Sequence, residues 1–287
     1  MSHESWHQEG LPAVGRQIGQ GQAVGSFVET ASYPPVQQEL MMFPVKAINE
    51  YPSRHQTADA LGEVEGEDGF FYHVKGDQSG RFVCASEWLC TNLAEEIGIG
   101  APTPALIEML DGRLVFGSRR ISGVADQVTT ELFLTTSSLV TQLPKAGLCR
   151  ILSQIYAFDL FINNVDRHFG NYLSVEDSGY RRLYAMDYSR ALFSRWPLDG
   201  FPLPDQHTRT QGTILREFHG FDMAAALSMI EKLSRLAPAV IEGFIRRMPP
   251  VWLPPELHRE FMDWWSNGGR KSRLIELGAG LRDGRLL

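Results

Sequence analysis

The chain has 287 residues, with 34 acidic side chains against 27 basic ones and a formal net charge of −7. That balance argues against broad electrostatic binding to nucleic acid or to an anionic membrane, while leaving room for a local basic site. With 43% apolar and 10% aromatic residues, the chain can fill a real core, and its length suits two domains or two lobes. No uninterrupted apolar run approaches the roughly 18–20 residues needed to cross a bilayer. The longest candidate, Ile151 to Ile162, is broken by Ser153, Gln154 and Asp159. The opening MSHESWHQEG lacks the basic and greasy regions of a signal peptide, so none is expected. Cys84, Cys90 and Cys149 are an odd set without CxxC spacing. Neither a disulfide framework nor a zinc site is expected, and a reducing cytoplasm is the simplest home.

Residues 1–40 are rich in glycine and glutamine and keep no period, which reads as an arm, loosely ordered or docked as an extended segment. Its Gly19-x-Gly21-x-x-x-Gly25 run differs by one in spacing from the kinase glycine loop and follows no predicted strand, so it reads as linker. Residues 41–122 are strand-rich. A first strand is expected at 41–48, then 60–66 and 70–75 as a hairpin around Glu67-Asp68-Gly69. A helix follows from Val83 to Ile97, stopped by Gly98, with a second hairpin (106–110 and 114–117) around Asp111-Gly112. From about residue 123 to 287 the period becomes 3.6. Lys145 to Asn163 is a long helix with Leu148, Ile151, Leu152, Ile155, Phe158 and Ile162 on its apolar side. Short strands are expected at 171–175 and 183–186, turning at 177–179, and further helices at 221–236, 238–247 and 255–266. The expected class is α+β: a small antiparallel-sheet lobe with one helix, joined to a larger helical lobe.

The chemistry concentrates just after the long helix, in Asn163-Asn164-Val165-Asp166-Arg167-His168-Phe169-Gly170-Asn171. Asp166 and Asn171 are five apart, the spacing of a kinase catalytic loop, in which the Asp accepts the substrate proton and the Asn holds a metal. Sixteen residues later Asp187 ends a predicted strand, where a carboxylate suits magnesium on ATP phosphates. Glu87 shares a stripe of its helix with Val83, Cys90, Ala94 and Ile97. A carboxylate on an apolar face requires a partner, and Lys75 is the obvious one.

Asp-Arg-His-x-x-Asn after a helix reading AFDLFINN, then Met186-Asp187 and Ala191-Leu192-Phe193, resembles the HipA-like kinases, bacterial relatives of the phosphoinositide lipid kinases. The resemblance covers about residues 42–287 and is strongest from the long helix to Asp187. It implies a two-lobed, protein-kinase-like fold that transfers the γ-phosphate of ATP, with Mg2+, to a protein Ser or Thr. Some members of the family are toxins of toxin–antitoxin pairs, so a protein substrate and an antitoxin or other regulatory partner are expected. The resemblance places Lys75 on the ATP phosphates with Glu87 bracing it, Asp166 as the catalytic group, and Asn171 and Asp187 on the metal.

Two departures stand out. The loop from Tyr51 to Ala58 has no glycine, so phosphates would be met by backbone N–H groups and the Ser53 or Thr57 hydroxyls; the loop could instead be autoinhibitory. Asp187 is followed by Tyr188-Ser189 rather than Phe-Gly. His168 is expected to support the loop, Asp159 to make a structural hydrogen bond to it, and Arg167 to bind either a phosphate or a loop carboxylate. Trp252, Trp264 and Trp265 read as core before partner surface. A small-molecule or lipid kinase, and a pseudokinase acting as a binding module, are the rival readings; no direct contact with nucleic acid is expected.

Overall fold

A computed structural model describes residues 43–52, 59–77, 79–136, 147–177 and 180–287. The arm with its glycine run, Ser53, Thr57, the start of the long helix at Lys145 and the turn residues Ser178 and Gly179 lie outside the described residues.

The first strand, β1 (Val45–Pro52), begins later and runs further than its apolar pattern suggests. It joins β2 (Ala60–Gly66), β3 (Phe71–Lys75), β4 (Pro104–Glu108) and β5 (Leu114–Arg119) in a closed barrel ordered β1-β2-β3-β5-β4. The β2–β3 and β4–β5 hairpins form as the Asp-Gly turns predict. The ring, however, closes through a parallel pairing, Val45 opposite Ile107 and Lys46 opposite Glu108, which corrects the expected antiparallel sheet. No turn signal can announce a pairing between strands so far apart in sequence, and the closure removes two exposed edges at once.

Strand alternation then sorts the side chains. Val64, Tyr72, Val74, Ile107 and Val115 fill the barrel. The interior is tight: a Cβ at Gly117 would lie 2.4 Å from Ile107 Cγ1, so a side chain there would prevent closure. On the other face of the same strands, His73 and Lys75 of β3 pair with Ser118 and Phe116 of β5.

Helix α1 (Val83–Glu96) follows the barrel strand that ends in Lys75. Asp77 caps its first turn, accepting the Cys84 N–H at 3.0 Å. Gly98, at φ 84°, ends it. The helix is buried on all sides from Val83 to Ala94, beyond the single stripe its sequence suggests. Trp88 Nε1 donates to the Phe244 carbonyl at 2.9 Å, tying α1 to the C-terminal helices.

The rest of the chain is α2 (Gln127–Thr135), α3 (Leu148–Phe161), a hairpin of β6 (Tyr172–Asp177) and β7 (Tyr180–Ala185), then α4 (His207–His219), α5 (Met223–Arg235), α6 (Pro238–Arg246), α7 (Pro255–Ser266) and α8 (Gly269–Arg282). Helices α2, α4 and α8 were not separately expected. In α8 the glycines that disguise the helix serve close packing: a Cβ at Gly280 would lie 2.7 Å from Leu286, and one at Gly269 2.1 Å from Trp264. Trp252 and Trp265 are core residues, as their composition suggests. No helix among the described residues is long and apolar enough to cross a membrane.

Arg273 on α8 fixes the end of α3. It is buried, and its guanidinium donates to the carbonyls of Leu160 and Phe161 at 2.8 and 2.6 Å and to those of Leu198 and Gly200 at 2.9 and 2.6 Å. Burial pulls its pKa down to about 10, which still leaves it charged at neutral pH. Arg273→Met should lower the unfolding free energy by about 3 kcal/mol, because buried carbonyls lose their donor. Arg273→Lys should recover only part, since an ammonium cannot span the fork. Urea denaturation of the three proteins measures both effects.

Candidate active site

The barrel and α1 deliver the first half of the site. The Lys75 ammonium lies 2.6 Å from Glu87 Oε1 and 2.7 Å from Asp187 Oδ1. Glu87 Oε1 also accepts the Tyr188 N–H at 3.0 Å, so the glutamate holds both the lysine and the backbone just past Asp187. Burial disfavours the Lys75 ammonium, but the carboxylates of Asp187 and Glu87 more than reverse this and raise its pKa above the lysine range. Burial pushes the Glu87 carboxyl up, with Lys75 opposing and Asp187 adding to the rise. For Asp187, burial is outweighed by Lys75 and by the Ser189 donors, which hold its carboxyl below the usual range. One cation between two carboxylates leaves a local surplus of negative charge, and a further cation would be favoured there.

Asp187 follows β7 in the left-handed region, at φ 62°. That conformation costs a non-glycine residue on the order of 1 kcal/mol. Its Oδ1 accepts the Ser189 N–H at 3.3 Å and the Ser189 hydroxyl at 2.7 Å, bonds that hold the side chain in this turn. Tyr188 points into the core, edge-on to Phe158 with ring centroids 5.8 Å apart.

The second half hangs from the end of α3. Asp159 is fully buried and accepts from Asn164 Nδ2 at 2.8 Å and from Arg167 Nε and Nη2 at 2.8 and 3.0 Å. The Arg167 guanidinium also donates to the carbonyls of Asn171, at 2.9 Å, and Met186. A guanidinium so enclosed is a strut, which corrects both alternatives for Arg167: its partner is neither a phosphate nor a loop carboxylate but the buried Asp159 carboxylate of helix α3. Asn171 Nδ2 donates to the Asp166 carbonyl at 2.8 Å, leaving Oδ1 as its remaining acceptor. His168 Nδ1 accepts the Gly170 N–H at 3.1 Å within the loop. Asp166 Oδ1 meets His207 Nδ1 at 2.6 Å.

Thus Lys75, Glu87 and Asp187 meet in one ion cluster, Asp166 and Asn171 share a second arrangement, and Arg167 bridges the two. Beside the cluster opens a cleft of about 570 Å³, lined by Lys75, Glu87, Phe116, Leu173, Met186 and Asp187 together with the segment after β5. Its volume and its mixture of apolar walls and a few charged groups suit a nucleotide-sized ligand.

Residues 63–262 match the family model described as HipA-like kinase. The chain belongs to the HipA-like kinase family. Among solved structures, the Helicobacter pylori proinflammatory kinase CtkA is 15% identical, with the alignment covering 78% of this chain and 95% of that one at a TM-score of 0.48. HipA of Shewanella oneidensis MR-1, solved with HipB and its operator DNA as a toxin–antitoxin system, is 12% identical, over 80% of this chain and 67% of that one, at a TM-score of 0.44. No curated protein matches the sequence significantly.

Membership in this kinase family implies ATP as phosphoryl donor and, typically, a divalent metal ion. In this HipA-like kinase, no group of three or more His, Cys, Asp or Glu side chains among the described residues could hold a metal by itself. The donor set of Asn171 Oδ1 and the Asp187 carboxylate fits a hard cation that takes its other ligands from phosphates and water. Sequence reasoning missed His207, which lies 41 positions from Asp166 and carries no motif. It also missed Phe116 and Leu173 as cleft walls, because hydrophobic residues on strands do not announce which side faces a ligand.

The buried ion pair yields a stability test. Asp159→Leu should cost about 3–5 kcal/mol, because it strands the Arg167 charge in the core. Adding Arg167→Met should restore much of that loss despite removing more hydrogen bonds. Denaturation midpoints of the single and double variants decide it; a double variant weaker than the single one would contradict this electrostatic account.

Proposed function

We propose that the chain is a two-lobed, ATP- and Mg2+-dependent kinase that phosphorylates a Ser or Thr hydroxyl of a protein. Residues 41–122 would be the nucleotide-binding lobe and 123–287 the helical lobe carrying the catalytic loop and metal ligands, with 1–40 as an appended arm. The observation that carries this reading is the convergence of Lys75, Glu87 and Asp187 at one end of the cleft. A lysine held by a buried glutamate from α1 is poised to exchange one carboxylate for ATP phosphates. Asp187 and Asn171 Oδ1 would hold Mg2+, which neutralises charge on those phosphates. Ser53 and Thr57 remain proposed phosphate contacts.

Asp166 would orient the acceptor hydroxyl and take its proton. The hydroxyl oxygen bonds to the γ-phosphorus, the bond from that phosphorus to the β–γ bridging oxygen breaks, and ADP leaves with the electron pair. This chemistry depends on placement and electrostatics, which the braced lysine and the bridged loop supply. We extend the reading to a cytoplasmic enzyme, in keeping with free Cys84, Cys90 and Cys149. We further propose a toxin role, with an antitoxin as regulatory partner, because the family includes such pairs.

Two variants separate binding from chemistry. ATP with Mg2+ should raise the melting temperature of the wild type by mass action, and Asp187→Ala should abolish that shift. Asp166→Asn should keep the shift but lose about 10²–10⁴ in phosphorylation rate, the usual share of a general base. Autophosphorylation read by mass spectrometry beside the melting series measures both. Equal phosphorylation in Asp166→Asn and wild type would remove Asp166 from the mechanism.

A further inference from the structure

We propose that His207 is a positioning residue for the catalytic carboxylate, an assignment that rests on the kinase reading above. His207 is the first residue of α4, and its Nδ1 makes the 2.6 Å contact with Asp166 Oδ1. Among the described residues this is the one hydrogen bond that reaches the Asp166 carboxylate; the other Asp166 bonds use its backbone, the N–H to Asn164 Oδ1 and the carbonyl from Asn171. An ionised carboxylate only accepts, so in this contact Nδ1 is the donor and the hydrogen bond fixes the ring's orientation. Oδ2 is left for an acceptor hydroxyl.

Exposed ion pairs usually contribute little, because both side chains and their backbones move. Here both backbones are fixed. Thr208, the next residue, is buried; its hydroxyl accepts the Arg167 N–H at 3.0 Å and donates to the Asn164 carbonyl at 2.6 Å. The first turn of α4 is therefore stitched to the residues on either side of Asp166, and Arg167 is anchored in turn by Asp159. What freedom remains lies in the side-chain torsions of Asp166 and His207, and their hydrogen bond removes it. The His168 ring, edge-on to His207 at 5.9 Å between centroids, confines the imidazole further. The pair opens to solvent, with His207 60% and Asp166 41% exposed, which is where an acceptor protein must approach.

The test uses the full chain with γ-labelled ATP and Mg2+, taking autophosphorylation and transfer to dephosphorylated casein as readouts. His207→Ala should lower kcat about 10–100-fold, the usual effect of losing a group that aims a reacting one. KM for ATP and the melting temperature should stay at wild-type values. His207→Asn, whose amide N–H can stand where Nδ1 stands, should restore most of kcat. A purely structural role would shift the melting temperature and would not be rescued by asparagine. Wild-type kcat in His207→Ala with Asp166→Asn inactive, or an equal loss in His207→Ala and His207→Asn, overturns the role of His207 and leaves the kinase reading standing. Transfer by Asp166→Asn equal to that of the wild type removes Asp166 from the mechanism and this inference with it, and wild-type transfer no greater than a no-enzyme control overturns the kinase reading itself.

Discussion

The Arg167 guanidinium is the group on which the arrangement of the site depends. It lies over the ring of Tyr188 at 4.9 Å and that of Tyr172 at 5.5 Å, buried from water. A charge in such a place is tolerable only with an opposite charge and full hydrogen bonding. Asp159 supplies the charge, and the carbonyls of Asn171 and Met186 complete the bonding. Those partners are the last turn of α3, the end of the loop that carries Asp166 and the residue before Asp187. One side chain thus sets the distances among the segments that carry Asp166, Asn171 and Asp187, and its burial makes those distances hard to change.

The barrel fixes the other half by a different route. Closure through the parallel β1–β4 pairing leaves the strands little room to slide, and inward packing of Tyr72 and Val74 sends Lys75 to the outer face. Helix α1 is buried all round, so Glu87 cannot reach water and must find a cation. The two halves are joined where Glu87 accepts both the Lys75 ammonium and the Tyr188 N–H. A hydrogen bond from the chain just beyond Asp187 to a barrel-side helix makes the turn at Asp187 part of both. Arg273, capping α3 from behind, holds the base of this assembly.

Much of this was legible in the sequence where the signal is local. The five-residue spacing of Asp166 and Asn171 and the strand end at Asp187 could be read directly. So could Lys75 and Glu87, since an acid on an apolar helix stripe asks for a base. The Asp-Gly hairpins formed as written, and α3, α5, α6 and α7 lie within a few residues of their periodicity. What was illegible is non-local. The β1–β4 pairing leaves no trace in either strand. Helix α4 is polar and contains Gly212, whose missing Cβ would lie 2.4 Å from the Tyr156 ring, so tertiary packing chose a residue that local propensity reads as a breaker. His207 gains its meaning from Thr208 docking on the loop, which no pattern in HTRTQGTILREFH reveals. Arg167, open on sequence grounds between a phosphate and a loop carboxylate, pairs instead with the buried Asp159 of helix α3, which no local pattern signals.

On the proposed reading, nucleotide phosphates and metal meet at the ion cluster at the end of the cleft. Anomalous diffraction from crystals grown with Mn2+ and a non-hydrolysable ATP analogue tests it most directly. A manganese peak is expected between Asn171 Oδ1 and the Asp187 carboxylate, with Lys75 turned from Asp187 onto the phosphates and still held by Glu87. A peak elsewhere, or a nucleotide bound outside the cleft with the Lys75–Asp187 pair intact, would contradict it.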